Sequence, residues 1–239
     1  MCTVSFLPRR HGFMLAMNRD EQVSRPRALP PRRHWTGTRV SLYPSEAGGG
    51  TWIGISEVGL SLALINWYAK PQRDRSLCVS RGIIIPHLLA ADDLGQVGIM
   101  LADLPLAKIN PFRLIAISVK ERLVREWRWD GKSLTCGRYS WKRRHWFSSG
   151  YDEALANRKR AAVVRDIVKL TPAGLRKLHQ SHLPAKGPFS ICMHRSDAKT
   201  VSFTEIVATG SGAAMRYAAG SPCTKKPGAP RLLSFASEA

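Results

Sequence analysis

Long apolar runs are missing from this chain. The longest, residues 59–65 and 82–91, fall well short of the ~20 consecutive apolar residues that a membrane-spanning helix needs, so no transmembrane helix is expected. A secretory leader is not expected either, because Arg9, Arg10 and His11 break the first apolar stretch and no small-residue cleavage site follows. Asp20 and Glu21 oppose an arginine-rich transit peptide, since such segments avoid acids. Metal and redox motifs are also lacking: there is no CxxC, CxxCH or HExxH, and the cysteines, Cys2, Cys78, Cys136, Cys192 and Cys223, are odd in number and widely spaced. That pattern fits a reducing compartment, and a cytoplasmic protein is expected. The last four cysteines read as small buried hydrophobes, and neither a cofactor nor a metal centre is expected. The run Gly48-Gly49-Gly50 is no phosphate loop, for GxGxxG and a Walker lysine are both absent.

Acidic residues are scarce. Against 37 Lys and Arg stand 17 Asp and Glu, a net charge of +20, which by itself attracts nucleic acid, anionic lipid or an acidic substrate. The bases are spread over residues 25–33, 120–128, 142–145 and 158–177. No zinc finger, RNP motif or basic zipper accompanies them, so specific nucleic-acid binding is not expected.

What is present is ordinary globular composition, 44% hydrophobic and 23% charged. Residues 2–7 alternate as a strand with Cys2, Val4 and Phe6 on one face, and residues 12–17 read as its hairpin partner, leading into Asn18-Arg19-Asp20-Glu21. The proline-rich residues 24–33 are expected to form a surface loop, because proline cannot donate to a sheet ladder. Residues 51–56 and 60–66 read as strands joined by a turn at Glu57-Val58-Gly59, and residues 83–91 as a helix before a second helix start at Asp92-Asp93. Residues 112–119 and 122–128 suit a hairpin, and residues 134–147 an extended segment. Ser149 and Asp152 are spaced as a capping pair, with Ala156, Val163, Ile167 and Leu170 at helical spacing behind them. Thr171-Pro172 opens another helix to about Ser181, residues 189–193 and 200–207 return as strands, and residues 221–239 read as a tail beyond a single domain of residues 1–220. Strands, then helices, then strands again suit sheets flanked by helices, an α+β layer architecture.

Position 2 carries chemistry if Met1 is trimmed, as it is when the next side chain is small. A thiol and an α-amine then share one residue, titrating near about 8.5 and about 7.7–8.0. The amine can serve as base for its own thiol, with no histidine required.

Met1-Cys2-Thr3, Asn18-Arg19-Asp20-Glu21, Ser24-Arg25-Pro26, Gly49-Gly50-Thr51-Trp52-Ile53-Gly54 and Ser80-Arg81-Gly82, in that order and spacing, resemble the NRDE family, also called the transport and Golgi organisation protein 2 family. The likeness thins through Ser148-Ser149, residues 191–195 and Thr200-Val201-Ser202. The family is in turn similar to the choloylglycine hydrolase and penicillin V acylase group of N-terminal-nucleophile (Ntn) hydrolases. The resemblance implies a four-layer αββα sandwich and gives Arg19 the role of lowering the thiol pKa. It gives Asp20 that of orienting the α-ammonium, the alternative for both being a surface ion pair. Asn66 matches the position whose amide helps form an oxyanion hole, and reads equally as a turn cap. Where related acylases carry a second asparagine this chain has Ser148-Ser149, and Arg195 is the nearest match to a late catalytic arginine.

Three readings follow. The first is a hydrolase of a non-peptide amide, with Cys2 as nucleophile and a small-molecule acyl amide as substrate. The second is a non-catalytic carrier of a hydrophobic ligand, haem or lipid, on the same fold; Ser149 in place of an asparagine supports it, and eukaryotic relatives are linked to haem trafficking. His194, after Met193, is weighed there as a haem ligand against a satisfied strand histidine, which is preferred. The third is a basic peripheral protein that meets anionic membranes through residues 25–33 and 120–144. Trp52 reads as core packing ahead of ligand contact.

Overall fold

The computed structural model describes residues 2–167 and 171–236. Its elements are β1 (Cys2–Arg9), β2 (Gly12–Gln22), β3 (Leu29–Thr36), β4 (Arg39–Ser45), β5 (Ile53–Ser56), β6 (Leu60–Asn66), α1 (Ile84–Leu88), α2 (Leu94–Ala102), β7 (Phe112–Ser118), β8 (Leu123–Trp129), β9 (Leu134–Tyr139), β10 (Arg144–Ser148), α3 (Glu153–Arg165), α4 (Pro172–Gln180), β11 (Ala198–Ala208), β12 (Gly212–Ala218) and β13 (Arg231–Ser234). Among the described residues they form two antiparallel sheets, ordered β10-β1-β2-β11-β12-β13 and β3-β4-β5-β6-β7-β8-β9. No helix among them is long and apolar enough to cross a membrane.

Alternation along the strands sorts side chains into three apolar layers. Val4, Phe6, Leu15 and Met17 of the first sheet meet Ile53, Ile55, Ile65 and Ile115 of the second between the sheets. The opposite face of the second sheet, with Leu62, Leu64 and Leu114, packs under Ile85, Leu88 and Val97 of α1 and α2. Met14, Ala16 and Phe203 on the outer face of the first sheet meet Val164, Leu175 and Leu178 of α3 and α4. Helix, sheet, sheet, helix is the four-layer αββα sandwich.

Several local expectations are revised. The proline-rich stretch is not all loop: Pro30 and Pro31 lie in β3, tolerated because β3 is a sheet edge and its register shifts between Leu29 and Arg32. β2 runs on through Asn18-Arg19-Asp20-Glu21, since β11 pairs with it out to Gln22. The extended residues 134–147 divide, β9 closing one sheet while β10 closes the other. The helix expected over residues 83–91 is shortened to α1. The cap of α3 is Asp152, whose side chain accepts from Leu155 N–H, and not Ser149. Leu170 lies outside the described residues, whereas Thr171 caps α4 as its chemistry predicts. Residues 189–193 form no strand; Ile191 and Cys192 donate back to the carbonyls of Leu183 and Ser181, closing an irregular loop. Beyond Ser221 the chain supplies β13 to the edge of the first sheet.

Candidate active site

Cys2 begins β1, a strand inside its sheet, paired with Arg19 of β2 on one side and Ser148 of β10 on the other. Directly paired residues share a face, and neighbours along a strand point oppositely. Arg19 therefore joins Cys2 toward the inter-sheet layer, while Asp20 turns toward the helices. Opposite this pair β11 is irregular, its register shifting between Thr200, across from Asp20, and Ser202, across from Arg19. Bulges of this kind re-aim side chains beside active sites.

Cys2 is 7% exposed and opens onto a cavity of about 280 Å³ that Arg19, Asp20, Trp52 and Asn66 also line. Burial pushes its thiol pKa up, with the negative charge of Asp20 adding to that, while the Asp20 backbone N–H and the positive charge of Arg19 pull it down. Asp20 is buried, accepts the Thr200 hydroxyl at Oδ1 (2.6 Å) and faces Arg160 Nη2 at Oδ2 (3.5 Å). Burial raises its carboxyl pKa and the Arg160 charge opposes the rise.

Arg19 lies over the Trp52 ring, 4.4 Å from its centroid, a cation–π stack. Its guanidinium also enters a ring of alternating charges: Arg19 with Glu46 (2.5 Å) and Glu21 (3.3 Å), and Arg25 with the same two carboxylates (3.1 and 2.9 Å). Trp52 thus belongs both to the core and to the cavity wall, and its buried indole N–H has no hydrogen-bond partner among the described residues. Asn66, the last residue of β6, reaches the cavity, and its Nδ2 donates to Tyr68 Oη at 2.7 Å. Gly50 and Gly82 bring two of the sequence motifs together: a Cβ on Gly50 would stand 3.1 Å from Gly82 Cα, and Thr51 N–H donates to the Gly82 carbonyl. The close backbone approach that these glycines permit is to the chain itself.

Cys2, Arg19, Asp20 and Asn66 therefore share one cavity. Ser149 is buried next to Ser148 but outside the cavity lining, and its hydroxyl accepts from Tyr151 N–H at 3.3 Å. Arg195 is also outside the lining, paired with Asp197 at 2.5 Å and stacked on Tyr151. Another arginine, from α3, reaches the residues around Cys2. Arg160, fully buried, donates from Nη1 to Thr3 Oγ1 at 3.1 Å, and the same nitrogen lies 3.5 Å from the carbonyls of Cys2 and Ser148. Composition hides it in the polar run Asn157-Arg158-Lys159-Arg160. Period was the available signal, for Ala156, Arg160 and Val164 recur every fourth residue on the buried face of α3.

Behind Thr200 stands a second cluster, His182, Cys192, His194 and Cys223, whose ligand atoms all lie within 4.8 Å of one another. Of the four cysteines read as buried hydrophobes only Cys192 is buried; Cys78 and Cys223 are partly exposed and Cys136 is exposed. His194 is not a strand histidine, since it forms only an isolated bridge with Lys199.

Two antiparallel sheets between helical layers, with Cys2 heading an inner strand, form the fold seen in N-terminal-nucleophile hydrolases. Solved structures agree. The chain superposes over its full length on 97% of the C2A mutant of conjugated bile acid hydrolase from Clostridium perfringens, with a TM-score of 0.54 and 11% identity. It covers 100% of penicillin V acylase from Agrobacterium tumefaciens, with a TM-score of 0.52 and 12% identity. At such identities the likeness is one of fold. By sequence the chain belongs to the Transport and Golgi organisation 2 family, whose model matches residues 1–146. A human relative, Transport and Golgi organization protein 2 homolog, is 39% identical over 84 residues, which are 34% of this chain and 30% of that protein. The chain thus matches less than a third of that relative's length. Arg160 and the His182–Cys223 cluster fall beyond the span of the family match.

Proposed function

We propose that this chain is a cysteine amidohydrolase acting on a small acyl amide. The observation that carries the reading is the convergence of Cys2, Arg19, Asp20 and Asn66 on one cavity. After loss of Met1, the α-amine takes the thiol proton and the thiolate adds to the amide carbonyl carbon. Asn66 lies on the same cavity to donate to the developing oxyanion. Collapse breaks the C–N bond as the ammonium returns its proton to the leaving nitrogen, leaving a thioester. Water, deprotonated by the same amine, then hydrolyses the thioester to the carboxylic acid and restores the thiol. Arg19 favours the thiolate, and Asp20, held by Thr200 and Arg160, orients the ammonium. The cavity volume of about 280 Å³ suits a small molecule and not a folded protein.

A second reading, a carrier of a hydrophobic ligand in the same cavity, is favoured by Ser149, a hydroxyl where a second asparagine is expected, which accepts from Tyr151 N–H outside the lining. Intact mass and turnover on a panel of acyl amides separate the two. The hydrolase reading expects a chain lacking Met1 and turnover that Cys2→Ala abolishes. Retained Met1 in native protein, or turnover surviving Cys2→Ala, overturns it; ligand binding undiminished in Cys2→Ala without turnover supports the carrier.

A further inference from the structure

We infer that His182, Cys192, His194 and Cys223 form a tetrahedral site for a divalent metal ion, zinc by its ligand set. The inference is independent of whether Cys2 turns over. The residues come from two segments: His182, Cys192 and His194 from the irregular loop between α4 and β11, and Cys223 from the turn after β12. Their ligand atoms nevertheless converge. His194 Nε2 lies 3.2 Å from His182 Nε2, 3.7 Å from Cys192 Sγ and 3.5 Å from Cys223 Sγ.

Hydrogen bonding alone does not account for this. A neutral imidazole nitrogen offers a single lone pair or a single N–H, so one partner satisfies it, yet three converge on the same atom. A shared ion does account for it. With metal–nitrogen bonds of about 2.0–2.1 Å and metal–sulfur bonds of about 2.3 Å, tetrahedral edges come to about 3.3 Å between nitrogens and about 3.6 Å between nitrogen and sulfur. The three separations from His194 Nε2 match those edges, and the remaining ligand pairs lie within 4.8 Å. Two thiolates and two imidazoles are the donors that zinc takes in closed structural sites, and the two thiolates neutralise the dication.

The location gives the ion a task. The loop over residues 181–197 has little regular structure, and the ion would staple it to the segment after β12. From the same loop Met193 N–H donates to Thr200 Oγ1 (2.8 Å), whose hydroxyl donates to Asp20, and Ser221 Oγ donates to the Thr200 carbonyl (2.6 Å). The ligand-bearing segments thus clamp Thr200 from both sides.

The full chain, purified under reducing conditions from zinc-supplemented cells and dialysed against metal-free buffer, is expected to retain one zinc ion per chain by plasma mass spectrometry. Cobalt(II) in its place should give the intense visible bands of a tetrahedral site and a thiolate charge-transfer band. Cys223→Ser should abolish that band and lower retained zinc at least about tenfold, the lower end of what even an outer-layer change costs. Cys136→Ser, on the edge strand β9, should change neither. Natively folded wild-type chain without bound zinc would overturn the inference whatever the variants do. A Cys192–Cys223 disulfide in the reduced preparation, seen as the loss of two hydrogens, or full zinc retention by Cys223→Ser, would overturn it equally.

Discussion

Arg160 and Asp20 meet with both side chains fully withdrawn from solvent, Arg160 Nη2 standing 3.5 Å from Asp20 Oδ2. Arg160 comes from α3 in the outer helical layer and Asp20 from β2 beneath it. Through Thr3 and the carbonyls of Cys2 and Ser148 the same guanidinium also touches β1 and its neighbour β10. A charge in this setting is stable only because its partner is present.

Removing one member should therefore cost more than removing both. Arg160→Met strands a buried carboxylate and is expected to destabilise the chain by ~3–5 kcal/mol, whereas adding Asp20→Asn to it should recover part of that loss. Urea unfolding of the two single variants and the double variant measures the coupling. Strict additivity would show that the pair does not interact.

Acid should attack the layer under β1. Ser5 Oγ lies 2.8 Å from His145 Nδ1 and 2.9 Å from His179 Nε2. Burial, reinforced by Arg143, lowers the His145 pKa to about 4, and burial, reinforced by His145, lowers that of His179 to about 3. Both folded values lie below the unfolded one of about 6.5, so the unfolded chain takes up protons first. The stability from keeping these rings neutral is fully present above about pH 6.5 and is lost as pH falls through about 4 and 3. The limiting slope for two protons is about 2.7 kcal/mol per pH unit. His179→Gln should lower stability at pH 7 yet shrink its fall between pH 7 and pH 5; an unchanged fall would remove His179 from the account.

Three successive glycines should respond differently to alanine. A Cβ at Gly48 meets nothing within 4 Å, Gly49 has φ +80°, and Gly50 is crowded by the Gly82 backbone from 3.1 Å. Gly48→Ala is expected to be neutral or stabilising by up to about 1 kcal/mol. Gly50→Ala should cost ~1–3 kcal/mol because backbone must move. Thermal melts rank them, and equal shifts would contradict the geometry.

Far from the cavity, Glu126 is fully buried in β8, accepting from Arg113 Nε (2.6 Å), Arg128 Nη2 (2.8 Å) and Tyr139 Oη (2.7 Å). Burial would raise its carboxyl pKa, yet these donors hold it below the ordinary glutamate value. Glu126→Gln keeps the shape and removes the charge, and should cost ~1–3 kcal/mol by urea unfolding. The Arg128→Ala change should cost less, since that side chain is 42% exposed.

The sequence made the first hairpin legible because Cys2, Val4 and Phe6 alternate against Thr3 and Ser5, and the Arg19-Asp20 pair legible because it follows on the next strand. Where competing forces act, the reading stopped short. Pro30 and Pro31 argue against a strand until the strand is known to be an edge. The Ala-rich β12 has little strand propensity of its own and forms by pairing with β11. Arg160 is one base among many until the buried face of α3 is drawn. His182, Cys192, His194 and Cys223 have no motif spacing because their ligand atoms meet only after the loop and the β12 turn fold together.

β2 has β1 on one side, next to it in the chain, and β11 on the other, about 180 residues later. On a ribosome adding roughly 5–20 residues per second, that separation is a delay of roughly ten to forty seconds. β10 and α3 emerge within that interval, so the first hairpin gains these neighbours before its β11 edge is filled. The pairing that encloses β2 is thus among the last that synthesis makes possible.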